Sequence, residues 1–182
     1  MNRPAICLIG AALLLTLACG GGGGGGTPAP PATTLTYSFS SGPGDTWRLV
    51  QNASASTSTH LVFDLFAPST ASGDGFTVVL TTNPAQAAWS RPDGVNYMTR
   101  VPYPNAKVSI ASVAGASLRL VAGQVPGAEV PYGTSPLAEV ALDMASSATV
   151  GGVTLTATAA SHLAGPGDPT DIAVEVGTLQ AQ

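Results

Sequence analysis

The side chains best suited to acid–base chemistry in this sequence are its two histidines, His60 and His162. Asp64 lies on the same face of a predicted strand as His60, but at extended-chain spacing the two are about 13 Å apart. Serines are plentiful, yet none lies in a local nucleophile motif such as G-x-S-x-G. We therefore expect both histidines to be strand-edge or loop residues, and we expect no enzymatic activity.

Carboxylates occur in two further arrangements. Glu139 and Asp143 share one face of a predicted strand, but this spacing does not suit a glycosidase pair, so we expect a solvated strand face. Asp168 and Asp171, in GPGDPTD, are weak candidates for a calcium site, which needs about six to eight oxygen ligands. Acidic Gly/Pro loops more often form turns held by side-chain-to-backbone hydrogen bonds. The sequence therefore predicts no metal ion and no cofactor.

Aromatic residues and arginines concentrate in one long connection, WSRPDGVNYMTRVPYP. A binding surface there would consist of Trp89, Arg91, Tyr97, Arg100 and Tyr103. Such rings stack on sugars or anchor protein interfaces, and binding residues concentrate on loops held by a rigid scaffold. The alternative is that the rings fill the core. We expect a core position for Trp47 and Trp89, and both alternatives stay open for Tyr97 and Tyr103.

The N-terminus has the parts of a secretory leader. Arg3 precedes an uncharged, mostly apolar segment that ends at Ala18, just before Cys19. The segment is shorter than the roughly 20 apolar residues of a membrane-spanning helix. LTLAC, which ends at Cys19, resembles the lipobox of bacterial lipoproteins. The resemblance implies a signal peptide over residues 1–18, cleavage before Cys19, and attachment of acyl chains such as palmitate to it.

The residues after Cys19 suit a tether. Gly20 to Gly26 is an unbroken glycine run, and TPAPPATT follows it. Glycine runs form flexible coils, whereas proline-rich stretches favour extended chain. We expect residues 19–34 to form a disordered tether between a lipid anchor and a single folded domain over residues 35–182. Gly20 directly after the cysteine resembles the sorting signal of outer-membrane lipoproteins, which implies a lipid-anchored protein of the bacterial cell envelope.

The composition excludes some functions. Charged residues are only 9% of the chain and the formal net charge is −4, whereas ordinary globular proteins have about 25% charged residues. Too few basic side chains are present to neutralise phosphates, so nucleic acid is excluded as a partner. Cys19 is the only cysteine beyond the leader, so the mature chain cannot form an internal disulfide.

Alternation of apolar and polar residues predicts the fold class. It recurs in LVFDLF, GFTVVLTT, LAEVALDM, VTLTATA and IAVEV, and turn signals rich in Gly, Pro and Asp lie between these runs. The pattern is typical of an all-β sandwich or barrel. The one helical candidate is a single turn over Pro84 to Trp89, for which Asn83 is a good N-cap.

The order of these signals from Leu61 to Val176 is similar to that of cohesin domains and related carbohydrate-binding modules. The stretches that carry the similarity are LVFDLF, GFTVVLTTNPAQAAW, SLRLVAG, SPLAEVALDM and VGGVTLTATAAS. The resemblance implies a single jelly-roll β-sandwich of about nine strands. It also implies protein recognition through a sheet face and loops, without assigning residues to it.

We expect a membrane-anchored lipoprotein that presents a non-catalytic protein-binding or adhesion module to an unidentified envelope or secreted protein. The alternative is a carbohydrate-binding module that holds a polysaccharide with exposed aromatic residues. Protein binding predicts a sheet face lined by Thr and Ser with modest apolar content. Sugar binding predicts coplanar exposed rings.

Overall fold

The computed structural model describes residues 28–40, 45–127 and 129–182. The predicted signal peptide, Cys19 and the glycine run lie outside the described residues and stay predictions. Within these ranges there is no helix that could cross a membrane. The strands are β1 (Leu35–Ser38), β2 (Trp47–Gln51), β3 (His60–Phe66), β4 (Ser72–Gly73), β5 (Gly75–Thr82), β6 (Ala87–Ser90), β7 (Val108–Ala114), β8 (Ser117–Gly123), β9 (Val130–Pro131), β10 (Ala138–Met144), β11 (Gly151–Val153), β12 (Leu155–Leu163), β13 (Thr170–Asp171), β14 (Val174–Glu175) and β15 (Thr178–Ala181).

Two five-stranded sheets form the body of the domain. The front sheet has the strand order β13-β12-β5-β8-β7, and the back sheet has the order β14-β2-β3-β10-β6. Neighbouring strands are antiparallel except β14, which runs parallel to β2. The all-β sandwich predicted from the sequence is confirmed. In the described chain ten strands have four or more residues, close to the expected number of about nine.

The core between the sheets follows the alternation in the sequence. Leu61, Phe63 and Leu65 of β3 are at most 1% exposed, as are Val78 and Leu80 of β5. Burial of each side chain of this size contributes about 1.5–3 kcal/mol. The period of two in the sequence thus places one row of apolar side chains from each long strand in a shared core.

The first described residues lie on the domain. Pro31 pairs with Thr149, and the amide of Thr34 donates to the carbonyl of Gln182 at 2.9 Å. Next to them, a three-stranded sheet of order β1-β15-β11 joins the two ends of the domain. Residues 31–34 are thus hydrogen-bonded to the folded part, and the domain boundaries stay predictions.

The predicted helical turn is present but shorter than expected. The amides of Gln86 and Ala87 both donate to the Asn83 carbonyl at 2.9 Å, and the Asn83 side chain accepts the amide of Ala85 at 3.1 Å. The chain then becomes β6, so residues up to Trp89 are not helical as predicted. Extended backbone wins because it places Ala87 and Trp89 on the same inward side, where both are buried.

Candidate functional site

Two of the five residues predicted to form a binding surface lie in the core. Trp89 is 6% exposed, and its indole Nε1 donates to the Ala116 carbonyl at 2.9 Å. Tyr103 is 3% exposed, and its hydroxyl lies 2.8 Å from that of Tyr132. The predicted surface is therefore wrong at Trp89 and Tyr103, and the core position expected for Trp89 is confirmed.

Tyr103 belongs to an aromatic cluster at one end of the core. The ring centroids of Trp47, Phe76, Tyr103, Tyr132 and His162 lie 5.5–6.4 Å from their neighbours in the cluster. Burial raises the pKa of the Tyr103 and Tyr132 hydroxyls, and the hydrogen bond to Tyr132 raises the pKa of Tyr103 further. Both hydroxyls stay neutral, and their mutual hydrogen bond satisfies polar atoms that water does not reach.

The other three predicted residues lie at the surface. The Arg91 guanidinium lies over the Tyr97 ring at 4.7 Å from its centroid. Arg100 is exposed and pairs with Glu139 of β10 at 3.4 Å. Asp93 holds the turn between them, since its carboxylate accepts the amides of Val95 and Asn96. The hydrogen bonds from Asn96 and Val95 lower the pKa of Asp93.

The exposed rings that sugar binding requires are missing from the described surface. All ten aromatic residues of the sequence are described, and each is buried or half-buried. Tyr97 is half-buried and is covered on one side by Arg91. A single ring of this kind does not form the flat aromatic strip on which polysaccharide chains stack, so the geometry does not favour the carbohydrate-binding alternative.

The two histidines occupy different surroundings. His60 Nδ1 lies 2.5 Å from an Asp143 carboxylate oxygen across β3 and β10. His162 packs in the aromatic cluster, and its Nε2 donates to the Ser72 carbonyl at 3.0 Å. The partner of His60 is thus Asp143 rather than Asp64. The register between β3 and β10 determines this pairing, and spacing along one strand cannot predict it. A serine is not hydrogen-bonded through its side chain to either ring in the described residues.

Glu139 is not a solvated strand residue, as the sequence had suggested, because it accepts several hydrogen bonds. The hydroxyl of Thr99 donates to the Glu139 carboxylate at 3.1 Å, and the side-chain Nδ2 of Asn52 donates to it at 3.5 Å. Directly opposite in register lies Asp64. Burial first, and then the charge of Glu139, raise the pKa of Asp64. The group is therefore a local electrostatic network on the outside of the back sheet.

The described residues hold no group of three or more His, Cys, Asp or Glu side chains placed to bind a metal ion. Asp168 and Asp171, the weak candidates from the sequence, are both exposed. Asp171 is part of β13, where it pairs with Ser161 of β12. Asp171 therefore lies on the edge strand of the front sheet, which accounts for its position.

The outer side of the back sheet, here called the back face, is partly closed. Its outward-facing residues include Val62 and Ala141, which are only 1% and 0% exposed although they point away from the main core. The backbone of Thr99 bonds to that of Glu139 in both directions, at 3.1 and 2.8 Å, so the long connection after β6 returns to this sheet. The back face also carries the pairs His60–Asp143 and Arg100–Glu139.

The outer side of the front sheet, here called the front face, is open. It includes the outward-facing residues of β5, β7, β8 and β12, and only Gly75 at the start of β5 is buried among them. Arg119 is the one charged side chain among them, and Asp171 of the edge strand β13 lies opposite Ser161 on the same side of the sheet. The others are small hydroxyl or apolar residues: Thr77, Val79, Thr81, Val108, Ile110, Ser112, Ala114, Ser117, Val121, Thr156, Thr158, Ala159, Ser161 and Leu163.

Hydroxyl pairs and apolar side chains alternate across the front face. The hydroxyls of Thr81 and Ser117 lie 3.2 Å apart across β5 and β8, and that of Thr158 lies 3.5 Å from Thr81. Towards β7 the face becomes apolar, and Ile110 is 55% exposed. The face thus offers reorientable hydroxyls beside apolar surface.

A groove of about 250 Å³ opens at one end of the front face. Its walls include Val108, Val121, Leu163 and Pro169, and Lys107 lies at its edge. Asp74, which is fully buried beside it, accepts a hydrogen bond from the side chain of Gln124 at 2.9 Å. The groove has room for an apolar side chain, and Asp74 holds the loop that forms one wall.

The sequence contained part of the signal for the front face. The alternation in GFTVVLTT separates Thr77, Val79 and Thr81 from the core residues of β5, as the structure confirms. It could not show that this outward row is open, because the outward row of LVFDLF has the same period and is partly covered. The path of residues 91–107, which return to the back sheet at Thr99, decides which of the two outward rows is covered.

No family model and no curated protein matches the chain. Two solved cohesin modules resemble it in structure. The seventh ScaB type I cohesin from Pseudobacteroides cellulosolvens has 12% sequence identity and a TM-score of 0.45, covering 71% of this chain and 86% of its own. The cohesin module of a family 33 glycoside hydrolase from Clostridium perfringens has 11% identity and a TM-score of 0.39, covering 80% of this chain and 99% of its own. Both similarities are of structure, at low sequence identity.

Proposed function

We propose that this chain is a lipid-anchored protein of the bacterial envelope whose front face binds another protein without catalysis. The observation that carries the proposal is that the back face is partly covered, whereas the front face is open. Apart from Gly75, no outward residue of β5, β7, β8 and β12 is buried, and Arg119 is the one charged side chain among them. The fold leaves this surface open, and it is the candidate for contact with a partner.

The chemistry of the front face suits a protein partner. The centres of protein interfaces are depleted in charged residues, because each charge must be desolvated on contact. Thr and Ser hydroxyls can donate or accept, so a partner's polar groups can be satisfied across the face. The groove beside Lys107 would take an apolar side chain of the partner. We expect the partner to be another envelope or secreted protein.

The anchor follows from the N-terminal sequence. Lipid on Cys19 would hold the chain at the membrane, and two or more acyl chains are needed for stable attachment. Pro31 pairs with Thr149, just before β11 and β12. The first residue of β12, Leu155, lies opposite Thr82 at the end of β5, whereas the groove lies at the start of β5. The two ends of β5, Gly75 and Thr82, are about 23 Å apart along the strand.

The absence of catalysis is supported by the surroundings of the histidines. His60 is paired with Asp143, and His162 is packed among rings with its Nε2 bonded to the Ser72 carbonyl. In the described chain, neither histidine lines the groove beside a nucleophilic side chain. Binding alone is the function that this arrangement supports.

Binding is tested by capture on the immobilised full chain in detergent. Envelope and culture-supernatant proteins of the host form one arm, and a panel of insoluble polysaccharides forms the other. We expect one protein to be retained by the wild type and lost on Val79→Glu and on Val121→Glu, since both place a charge in the front face. Val150→Glu is the matched control, because Val150 is 43% exposed and lies outside the front face.

The same experiment can contradict the proposal. Protein capture that both front-face variants leave unchanged would exclude the front face as the binding surface. Retention on a polysaccharide that is lost on Tyr97→Ala would instead support the carbohydrate-binding alternative.

The anchor is tested separately by labelling cells with radioactive palmitate. Cys19→Ala should abolish incorporation, whereas Cys7→Ala should not, because Cys7 lies in the part of the leader that is removed. Label that persists in the Cys19→Ala variant would contradict lipid attachment at this residue.

A further inference from the structure

Strand β7 forms an edge of the front sheet. Its seven residues, VSIASVA, pair with β8 in continuous register from Val108–Gly123 to Ala114–Ser117. In the described residues β8 is its only neighbouring strand. An edge of this length presents a row of unpaired backbone N–H and C=O groups.

Edge strands of natural sheets are usually protected, and β7 lacks the usual protection. It contains no charged residue, no proline and no bulge, and Val108 and Ile110 on it are 39% and 55% exposed. The other edges of the two large sheets are short. β13 and β14 have two residues each, and β6 has four, beyond which Thr99 bonds to the backbone of Glu139. Only β7 offers a long edge in the described chain.

The hairpin between β7 and β8 fixes which backbone groups are unpaired. Gly115 and Ala116 form a two-residue turn, so Ala114 and Ser117 are a hydrogen-bonded pair. Hydrogen-bonded and non-hydrogen-bonded pairs alternate along an antiparallel ladder. The backbone groups of Ile110 and Ser112 therefore bond to β8, while those of Ser109, Ala111 and Val113 point outward.

We infer that the edge of β7 binds the edge of β7 in a second copy of this chain. Ala111 is the central residue of the strand, and a two-fold axis beside it would pair Ala111 with Ala111 and Ser109 with Val113 of the other copy. About six backbone hydrogen bonds would form. Because each copy has one such edge, the arrangement closes at a dimer and does not extend into a fibre. The two front faces then form one continuous ten-stranded surface.

The distribution of charge fits a second copy. The chain is acidic overall, with a formal net charge of −4, but β7 itself is uncharged, so self-pairing brings no like charges opposite each other. The charged residue on the neighbouring strand, Arg119, lies on β8 opposite Ser112. Three strand spacings would separate Arg119 from its copy, about 14 Å. This exceeds the screening length of about 10 Å in 0.1 M salt.

The dimer is tested by sedimentation equilibrium of the full chain in detergent, from micromolar to millimolar concentration. We expect a reversible monomer–dimer equilibrium. Ile110→Glu should raise the dissociation constant at least about tenfold, because two carboxylates would face each other diagonally at about 7–8 Å. Val150→Glu, the same change at an exposed valine elsewhere, should leave it unchanged. A monomer at all concentrations, or equal effects of the two variants, would overturn the inference.

Register is tested with cysteines in a full-chain background carrying Cys7→Ser and Cys19→Ser. The proposed axis places Ile110 opposite Ser112 of the other copy as a non-hydrogen-bonded pair, with Cα atoms about 4.5 Å apart. That distance allows a disulfide, whereas each residue lies too far from its own copy. Mixing Ile110→Cys chains with Ser112→Cys chains should give a covalent dimer under mild oxidation. No cross-link in the mixture, or equal cross-linking of either variant alone, would overturn the two-fold pairing.

Discussion

The two outer faces of the sandwich arise from the same sequence pattern but differ in what covers them. On the back face, Val62 and Ala141 are almost fully buried, and Glu139 accepts hydrogen bonds from Thr99 and Asn52. On the front face, the outward row of β5 is only half-buried and β7 is exposed. The difference indicates that the back face helps to hold the long connection, while the front face is available to a partner.

The comparison also separates stability from function. Residues that hold the connection to the back face contribute to the free energy of unfolding. Outward residues of the front face are exposed or half-buried in the folded chain, so they contribute less to the free energy of unfolding. Equivalent substitutions on the two faces should therefore have different consequences.

The largest effect is expected where the faces differ most in burial. Val62→Asp places a carboxylate at a position that is 1% exposed, and an uncompensated buried charge destabilises a fold by about 3–5 kcal/mol. Ile110→Asp makes a similar change at a 55% exposed position on the front face and should cost less than about 1 kcal/mol. Urea unfolding followed by circular dichroism measures both. Similar losses at the two sites would contradict a difference in burial between the two faces.

A smaller effect is expected from the hydrogen bonds of the back face. Glu139→Ala removes the acceptor of Thr99 at 3.1 Å and the ion-pair partner of Arg100 at 3.4 Å, so we expect a loss of about 1–2 kcal/mol. Arg119→Ala is the front-face counterpart and should change the free energy of unfolding by less than about 0.5 kcal/mol. Chemical denaturation of both variants tests this, and a larger loss for Arg119→Ala would show that the front face is not independent of stability.

The pH dependence of stability should also report on the back face. Burial and the charge of Glu139 raise the pKa of Asp64, so the folded state favours its protonated form. The favourable contribution is complete below the unfolded pKa of about 3.9 and is lost as pH rises through the folded pKa. Asp64→Asn should therefore melt at a higher temperature than the wild type at pH 7. The difference in melting temperature between the two should be smaller at pH 3. A variant less stable than the wild type at pH 7 would contradict the assigned cause.

The smallest effect is expected at Arg100, which links the connection to the back face. Its φ of 60° lies in the left-handed region, which costs a non-glycine residue about 1–2 kcal/mol. Its exposed ion pair with Glu139 is worth at most about 1 kcal/mol. Arg100→Gly loses the pair but relieves the backbone, so it should be more stable than Arg100→Ala by about 0.5–1 kcal/mol. Thermal melts of the two variants measure the difference, and the reverse order would show that the backbone is not strained here.

The sequence predicted the fold better than the surface. Period-two alternation identified the buried rows of β3, β5 and β10, because one face of each strand must lie in the core. It could not predict the neighbour of His60, since the Asp143 pair depends on register between strands that are distant in sequence. For the same reason, the sequence left core and surface positions open for Tyr97 and Tyr103, and Tyr103 entered a cluster with residues from β2, β5 and β12.

Hydrogen exchange on the full chain, with and without the protein captured from the host, tests whether the front face is the binding surface. We expect the partner to slow amide exchange in β5, β7 and β8 and to leave β3 and β10 unchanged, because only the front face is open to it. Slower exchange confined to residues 91–100 and the back sheet would contradict the account and transfer the binding surface to the other side of the sandwich.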